Sequence, residues 1–202
     1  MLRFCKSLAV LGSLVALIWW ICPAGELRHP PGVRIDAEPV QTDLPARPLC
    51  QLHGYHITAV ASYQITARVL HTKHYWTDGN DLVPYDVALG WGRMSDQAML
   101  DQLEISQGNR FFFYQWRNEP PIPIPEIICH ASNNHVIAAD STVASAIAHL
   151  RRGQFVQMRG YLVNVTRPDG FHWNTSLTRT DSGPGACEIF YVEAITAADD
   201  PA

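Results

Sequence analysis

Nine histidines are the side chains of this sequence best placed to do chemistry at neutral pH, because imidazole changes charge there and also ligates metals. His53, His56, His71 and His74 form two H-x-x-H pairs. A hairpin turning at Tyr63 and Gln64 would set the pairs opposite one another, at a separation that suits zinc. Ala61-Ser62-Tyr63-Gln64 offers no Gly, Asn or Pro to make that tight turn. Residues three apart on a strand also face opposite ways, so exposed polar side chains at strand ends are the competing reading. His130 and His135 flank Ala131-Ser132-Asn133-Asn134, a polar stretch able to orient both rings. The metal-ligand candidates are His130, His135, Glu188 and His172, with Glu126, Asp140 and Asp181 as further ligands or general bases. Zinc accepts imidazole and carboxylate together, which makes a metal-dependent hydrolase on His130 and His135 one expected function. The plain reading is a loop whose Asn side chains satisfy its own backbone.

A second enzyme reading rests on His56-Ile57-Thr58 and His130-Ala131-Ser132. Two H-x-[ST] motifs on strands resemble those of two-histidine phosphoesterases, and that likeness implies His56 and His130 as acid and base beside hydroxyls that hold phosphate. The loop from Arg179 to Ala186 carries Gly183 and Gly185, and its backbone amides could cradle an anion next to Arg179. It lacks the lysine and spacing of the nucleotide-binding P-loop, so an ordinary connection also fits. No G-x-S-x-G elbow occurs. Of five cysteines, Cys5 and Cys22 fall in the N-terminal segment, leaving Cys50, Cys129 and Cys187. An oxidising compartment permits one bridge, and Cys129 with Cys187 is the expected pair, both standing at strand edges beside polar loops.

Those candidates need elements to hold them. Ile57, Ala59, Ala61, Tyr63, Ile65, Ala67 and Val69 alternate with mostly polar residues, which predicts β structure with one buried face. A flat strand of that length is too long for a small domain and must bend, bulge or turn back. Asp96 to Glu104 is predicted as a short helix capped by Ser95, and Ser141 to Arg152 as a helix capped by Asp140 or Ser141 and stopped by Gly153. Arg110 to Trp116 reads as an aromatic strand, interrupted by the proline-rich stretch Glu119 to Glu126 and resumed at Ile127 to Cys129. Phe155 to Thr166, Phe171 to Leu177 and Cys187 to Ile195 complete the expected strands. The fold class is therefore mainly β (α+β). Its strand and helix order resembles a small OB-like or other partly open β-barrel with one or two short helices.

Residues 1–24 read as a signal anchor or a signal peptide. Arg3 and Lys6 precede an apolar run from Leu8 to Ile21, and no acid appears before Glu26. Trp19 and Trp20 favour retention as a membrane segment over residues 4–22, while Cys22-Pro23-Ala24 offers a weak cleavage site. Six prolines between Pro23 and Pro48 predict an extended spacer over 25–48. The folded domain is then 49–196, followed by a disordered tail at 197–202.

Length and charge limit what such a domain does. The 202 residues suit one domain with an appendage, 47% of them hydrophobic, and the net charge of −4 argues against a nucleic-acid partner. Without Arg3 and Lys6, 13 cationic side chains face 19 acidic ones, a net of −6.

Three blocks look familiar together: Trp91-Gly92-Arg93-Met94-Ser95-Asp96, Ser132-Asn133-Asn134-His135, and the run from Ser176 to Glu188. They resemble blocks of an uncharacterised bacterial exported family, with a likeness extending from Tyr55 to Ile195. The family carries no established activity, so the resemblance implies a compartment rather than a reaction: the bacterial inner membrane, single-pass, with the domain in the periplasm, or a cleaved soluble form there. The leading expectation is a membrane-tethered, extracytoplasmic module that binds a ligand or partner protein, with Trp76, Trp91, Trp116, Trp173, Tyr75 and Tyr161 available for an aromatic face.

Overall fold

The computed structural model describes residues 25–76 and 81–200. The expected membrane segment at 1–24 and the last two residues of the expected tail lie outside the described residues. No helix among the described residues is long and apolar enough to cross a membrane.

In chain order the elements are β1 (Val40–Leu52), β2 (Tyr55–His74), β3 (Tyr85–Gly90), a 3-10 turn (Gly92–Ser95), α1 (Gln97–Leu100), β4 (Glu104–Gly108) and β5 (Phe111–Gln115). There follow α2 (Ile124–Cys129), β6 (Ala131–Ala138), α3 (Ser141–Ala148), β7 (Phe155–Thr166), β8 (His172–Trp173) and β9 (Glu188–Ala198). The molecule is mainly β with few and short helices.

Strand β2 organises the rest. Its alternating side chains from Ile57 to Val69 are all at most 2% exposed, as the period of two requires. The length problem is solved by bending: the register shifts between Ala59 and Ala61 against β7, and between Val69 and His71 against β3. Each shift inserts an unpaired residue, which kinks a strand and increases its twist. Bent in this way, β2 pairs with β7 over His56 to Arg68 and with β3 over Arg68 to His74. The sheet order is β1-β2-β3-β6-β9-β7-β8, and the added β2–β7 pairing curls it into a partly ring-like sheet. Strands β6 and β9 are parallel, whereas their other neighbours are antiparallel.

Inside the curve lies a core of Tyr63, Ile65, Val69, Leu89, Met158 and Phe190, onto which α3 presses Val143 and Ile147. Asp140 caps α3 by accepting from Val143 N at 2.9 Å. A separate cluster of Leu70, Met94, Leu103, Ile105 and Ile127 packs between β3 and the β4–β5 hairpin.

The structure corrects several sequence expectations. The 25–48 segment is no spacer. Its second half forms β1, an edge strand on β2, where Pro45 and Pro48 are tolerated because one side of an edge strand needs no N–H donor. Its first half lies as a strap across the body. Leu27 N donates to Arg152 O (2.9 Å), Gly32 N to Asp96 Oδ1 (2.8 Å), and Arg34 N and Ile35 N both to Ser95 Oγ (3.0 Å). Ile35 is buried. The strap runs so close that a Cβ on Gly153, which sits at φ +93°, would stand 2.0 Å from Leu27 O.

Other boundaries shift for local reasons. Ile127 to Cys129 is the last turn of α2 rather than a strand, because Pro123 and Pro125 open a helix more readily than they sit in a sheet. Asp96, not Ser95, caps the short helix near Gln97 by accepting from Ala98 N, while Ser95 faces the strap. Helix α3 ends at Ala148, four residues before Arg152. Chain reversal ahead of β2 occurs at His53 and Gly54, both at positive φ, so no turn forms at Tyr63–Gln64.

Candidate functional site

Strand β6 presents polar side chains to both of its faces. Val87 lies opposite Asn134 and Asp86 opposite His135, so Ser132 and Asn134 share the inward face with Val136, while Asn133 and His135 point the other way.

The inward group joins Ser132 and Asn134 to Tyr63, Arg179 and Glu188. Asn134 Nδ2 donates to Ser132 Oγ (2.9 Å) and to the Val87 carbonyl (3.3 Å). Arg179 forms a short ion pair with Glu188 Oε1 and donates to Gln41 Oε1 at 3.2 Å. Its guanidinium lies 5.0 Å above the Tyr63 ring and 6.0 Å from that of Trp91, whose indole N–H donates to Glu38 Oε2 at 2.8 Å. Three buried atoms in this group keep no hydrogen-bond partner: Tyr63 Oη, Asn134 Oδ1 and Glu188 Oε2. Ser132 stands beside the Tyr63 hydroxyl without reaching hydrogen-bond geometry. Burial pushes the Glu188 carboxyl up to about 7, against the opposing pull of Arg179. Burial, and then the nearby Glu188 charge, push the Tyr63 hydroxyl well above its ordinary value.

The outward group centres on Asp86, which is fully buried. Its Oδ1 accepts from Arg110 Nη1 (2.9 Å) and from His135 Nδ1 (2.8 Å). The carboxylate thus fixes the His135 ring, which lies 4.6 Å from that of Trp173. Arg110 reaches Asp86 from the tip of the β4–β5 hairpin, where Asn109 and Arg110 both adopt positive φ. Asn133 Nδ2 donates to Arg110 O (3.1 Å) and Cys187 Sγ (3.4 Å), and its Oδ1 accepts a short bond from Gln107. Burial raises the Cys187 thiol to about 11, although the Asn133 bond opposes this, so it stays protonated and unreactive at neutral pH.

A cavity of about 110 Å³ opens where the two groups meet. Ser132, Arg179 and Glu188 line it from the inward group, Asn133 and Cys187 from the outward one. Phe111, Phe112 and Tyr114 of β5 supply an aromatic wall, and the 178–186 loop brings Asp181 and Ser182 over the opening.

The candidate metal ligands do not converge. His130 caps the end of α2, donates through Nδ1 to Glu126 O (2.8 Å) and stands 3.4 Å from Glu38 Oε1. His135 is held by Asp86, Glu188 by Arg179, and His172 is exposed with Gly170 O as its contact. Among the described residues no group of three His, Cys, Asp or Glu side chains could hold a metal ion. His56 and His130 are also separated. Ala131 lies across from Gly90, which lies across from Arg68, whereas His56 sits near the other end of β2 and pairs with the Gln51 amide. The four-histidine cluster disperses likewise: His53 contacts Asp81, His71 bonds Gln107, and His74 packs on Trp76 and Tyr85.

For the anion reading, Arg179 points into the body to neutralise Glu188 rather than toward the loop amides. Gly183 and Gly185 serve its sharp bends at φ +83° and +90°. The expected Cys129–Cys187 bridge is absent: Cys50, Cys129 and Cys187 are all free thiols. Cys129 lies in the last turn of α2, while Cys187 faces Asn133 and Arg110.

Sequence reasoning missed Asp86, Arg110 and Tyr63. Asp86 had a usable signal, as a single acid within the apolar run from Val83 to Leu89. Comparisons with family models, with curated proteins and with solved structures found no match.

Proposed function

We propose that this chain is an extracytoplasmic ligand-binding module, tethered through residues 4–22 to a bacterial inner membrane, with its ligand site in the cavity beneath the 178–186 loop. An OB-like barrel is the finer fold reading: the order β2-β3-β6-β9-β7, with α3 between β6 and β7 and with β6 parallel to β9, supports it. The observation that carries the binding reading is the set of unpartnered buried atoms at and just behind the cavity wall. Uncompensated polar groups of this kind are uncommon in native interiors and call for a partner. Asn134 Oδ1 and Glu188 Oε2 can only accept while Glu188 is ionised, so the fitting partner donates hydrogen bonds. With Arg179 already paired, the site favours a neutral or cationic small group over an anion.

The test has two arms. After cell fractionation the full chain should sediment with membranes and be digested by protease added from the periplasmic side; recovery in the cytosol overturns the tether. In the second arm, tryptophan emission is followed while glycerol, ethanolamine and inorganic phosphate are titrated onto the purified chain. Glycerol or ethanolamine should produce a saturable change that Arg179→Ala abolishes, and phosphate none. A silent response to both donors, or one unchanged in Arg179→Ala, removes the assignment.

A further inference from the structure

A second, larger depression lies on the far side of strand β5. It is a groove of about 920 Å³ between the end of α1 and the β4–β5 hairpin. We propose that this groove binds a neutral oligosaccharide. The inference does not rest on the cavity reading above, because the two share no lining residue.

The apolar part is built from the hairpin. Leu103 and Ile105 are buried at its base, and Trp116 stands half-buried over them. The indole is held in place by Tyr114, whose ring is nearly parallel at 22° with a centroid distance of 6.3 Å. Tyr114 is in turn backed by Phe112 at 5.7 Å. The groove therefore contains a flat, fixed aromatic surface rather than a loose side chain.

The polar part divides in two. Asp101, Gln102 and Arg152 already have partners in Arg28 and Gln97, in Ala98 O, and in Glu26, and so stiffen the walls. Glu104, Gln115, Arg117, Asn118 and Glu119 line the groove with side chains that make no hydrogen bond or ion pair among the described residues. These are planar groups: two carboxylates, two amides and a guanidinium, each offering adjacent hydrogen-bonding atoms. A pyranose ring has one face of C–H groups and an edge of neighbouring hydroxyls that both donate and accept. The indole fits the first, and planar bidentate side chains fit the second. Asp101, Glu104 and Glu119 outnumber Arg117 and Arg152, which disfavours an anionic polymer. The volume lies at the upper end of ordinary ligand pockets, roughly 300–1,000 Å³, so it suits several sugar units rather than one.

Isothermal titration of the full chain, in a detergent without a sugar headgroup, tests this with four hexamers: α-1,4-glucose, β-1,4-glucose, β-1,4-N-acetylglucosamine and α-1,4-galacturonate. At least one neutral hexamer should bind saturably. Trp116→Ala should weaken it by about tenfold, as truncation of a central aromatic contact does, and Trp116→Phe should retain most of the affinity. Arg179→Ala should leave it unchanged. The proposal is overturned if no neutral hexamer binds, if galacturonate binds as well as the best neutral one, or if a folded Trp116→Ala chain with wild-type thermal midpoint binds normally.

Discussion

Tyr63 is the largest side chain in a strand face otherwise made of Ala, Ile and Val, and its hydroxyl ends in a buried place without a hydrogen bond. An unmade hydrogen bond costs more than an absent hydroxyl. Tyr63→Phe should therefore leave the unfolding free energy within about 1 kcal/mol of wild type or raise it, as urea titration of the ligand-free chain would measure. A loss clearly beyond that would mean the hydroxyl has a partner in the resting protein. At this scale the sequence was only partly legible. The polar stretch from Ser132 to His135 stood out as a candidate site and does carry one wall of the cavity. Its partners Asp86, Arg110 and Tyr63 did not stand out. They come from β3, from a hairpin tip and from β2, and are brought together by register rather than by spacing along the chain. The histidines drew attention because of what imidazole can do, but their neighbours give most of them local structural roles.

Elements were legible where one force set them. Alternation identified β2, and Phe155 to Thr166 matches β7 end to end, because a buried face leaves a period-two pattern. They were illegible where proline was read without its sheet context. Six prolines between Pro23 and Pro48 suggested an extended spacer, yet main-chain bonds to Ser95, Asp96 and Arg152 hold the first half down and an edge position accommodates the second. Gly153 is the weak point of that strap. A methyl group there would meet Leu27 O in a backbone conformation that side chains disfavour. Gly153→Ala should destabilise the chain by roughly 1–3 kcal/mol. It should also speed proteolytic cutting around Leu27 and Arg28, read by mass spectrometry of the fragments. Equal cutting rates would show that the strap is not held through this contact.

Across the whole molecule, the buried Glu188 links stability to pH. Its carboxyl titrates near 7 when folded, against an ordinary value of 4.5, so the native state holds the proton more tightly than the unfolded one. Stability from this group is complete below about 4.5 and falls as pH rises through about 7. Between pH 5 and pH 8 the chain should lose on the order of 1–3 kcal/mol from this source. Glu188→Gln should flatten the profile, as urea midpoints across that range would show. A wild-type profile rising over the same interval would contradict the assignment. Asp169 and Asp199, whose carboxyls are drawn below their usual range by hydrogen bonds, act in the opposite sense only in more acid solution.

The strap also sets a leash. Its first main-chain hydrogen bond is made by Leu27, and in the tethered reading the membrane segment ends at residue 22. Only the residues between them are free to pay out, a reach of about 14 Å even at full extension. A body on so short a lead cannot search the periplasm for what it binds. Its ligand must come to the bilayer surface, or already be there, and the strap end of the molecule must face the lipid.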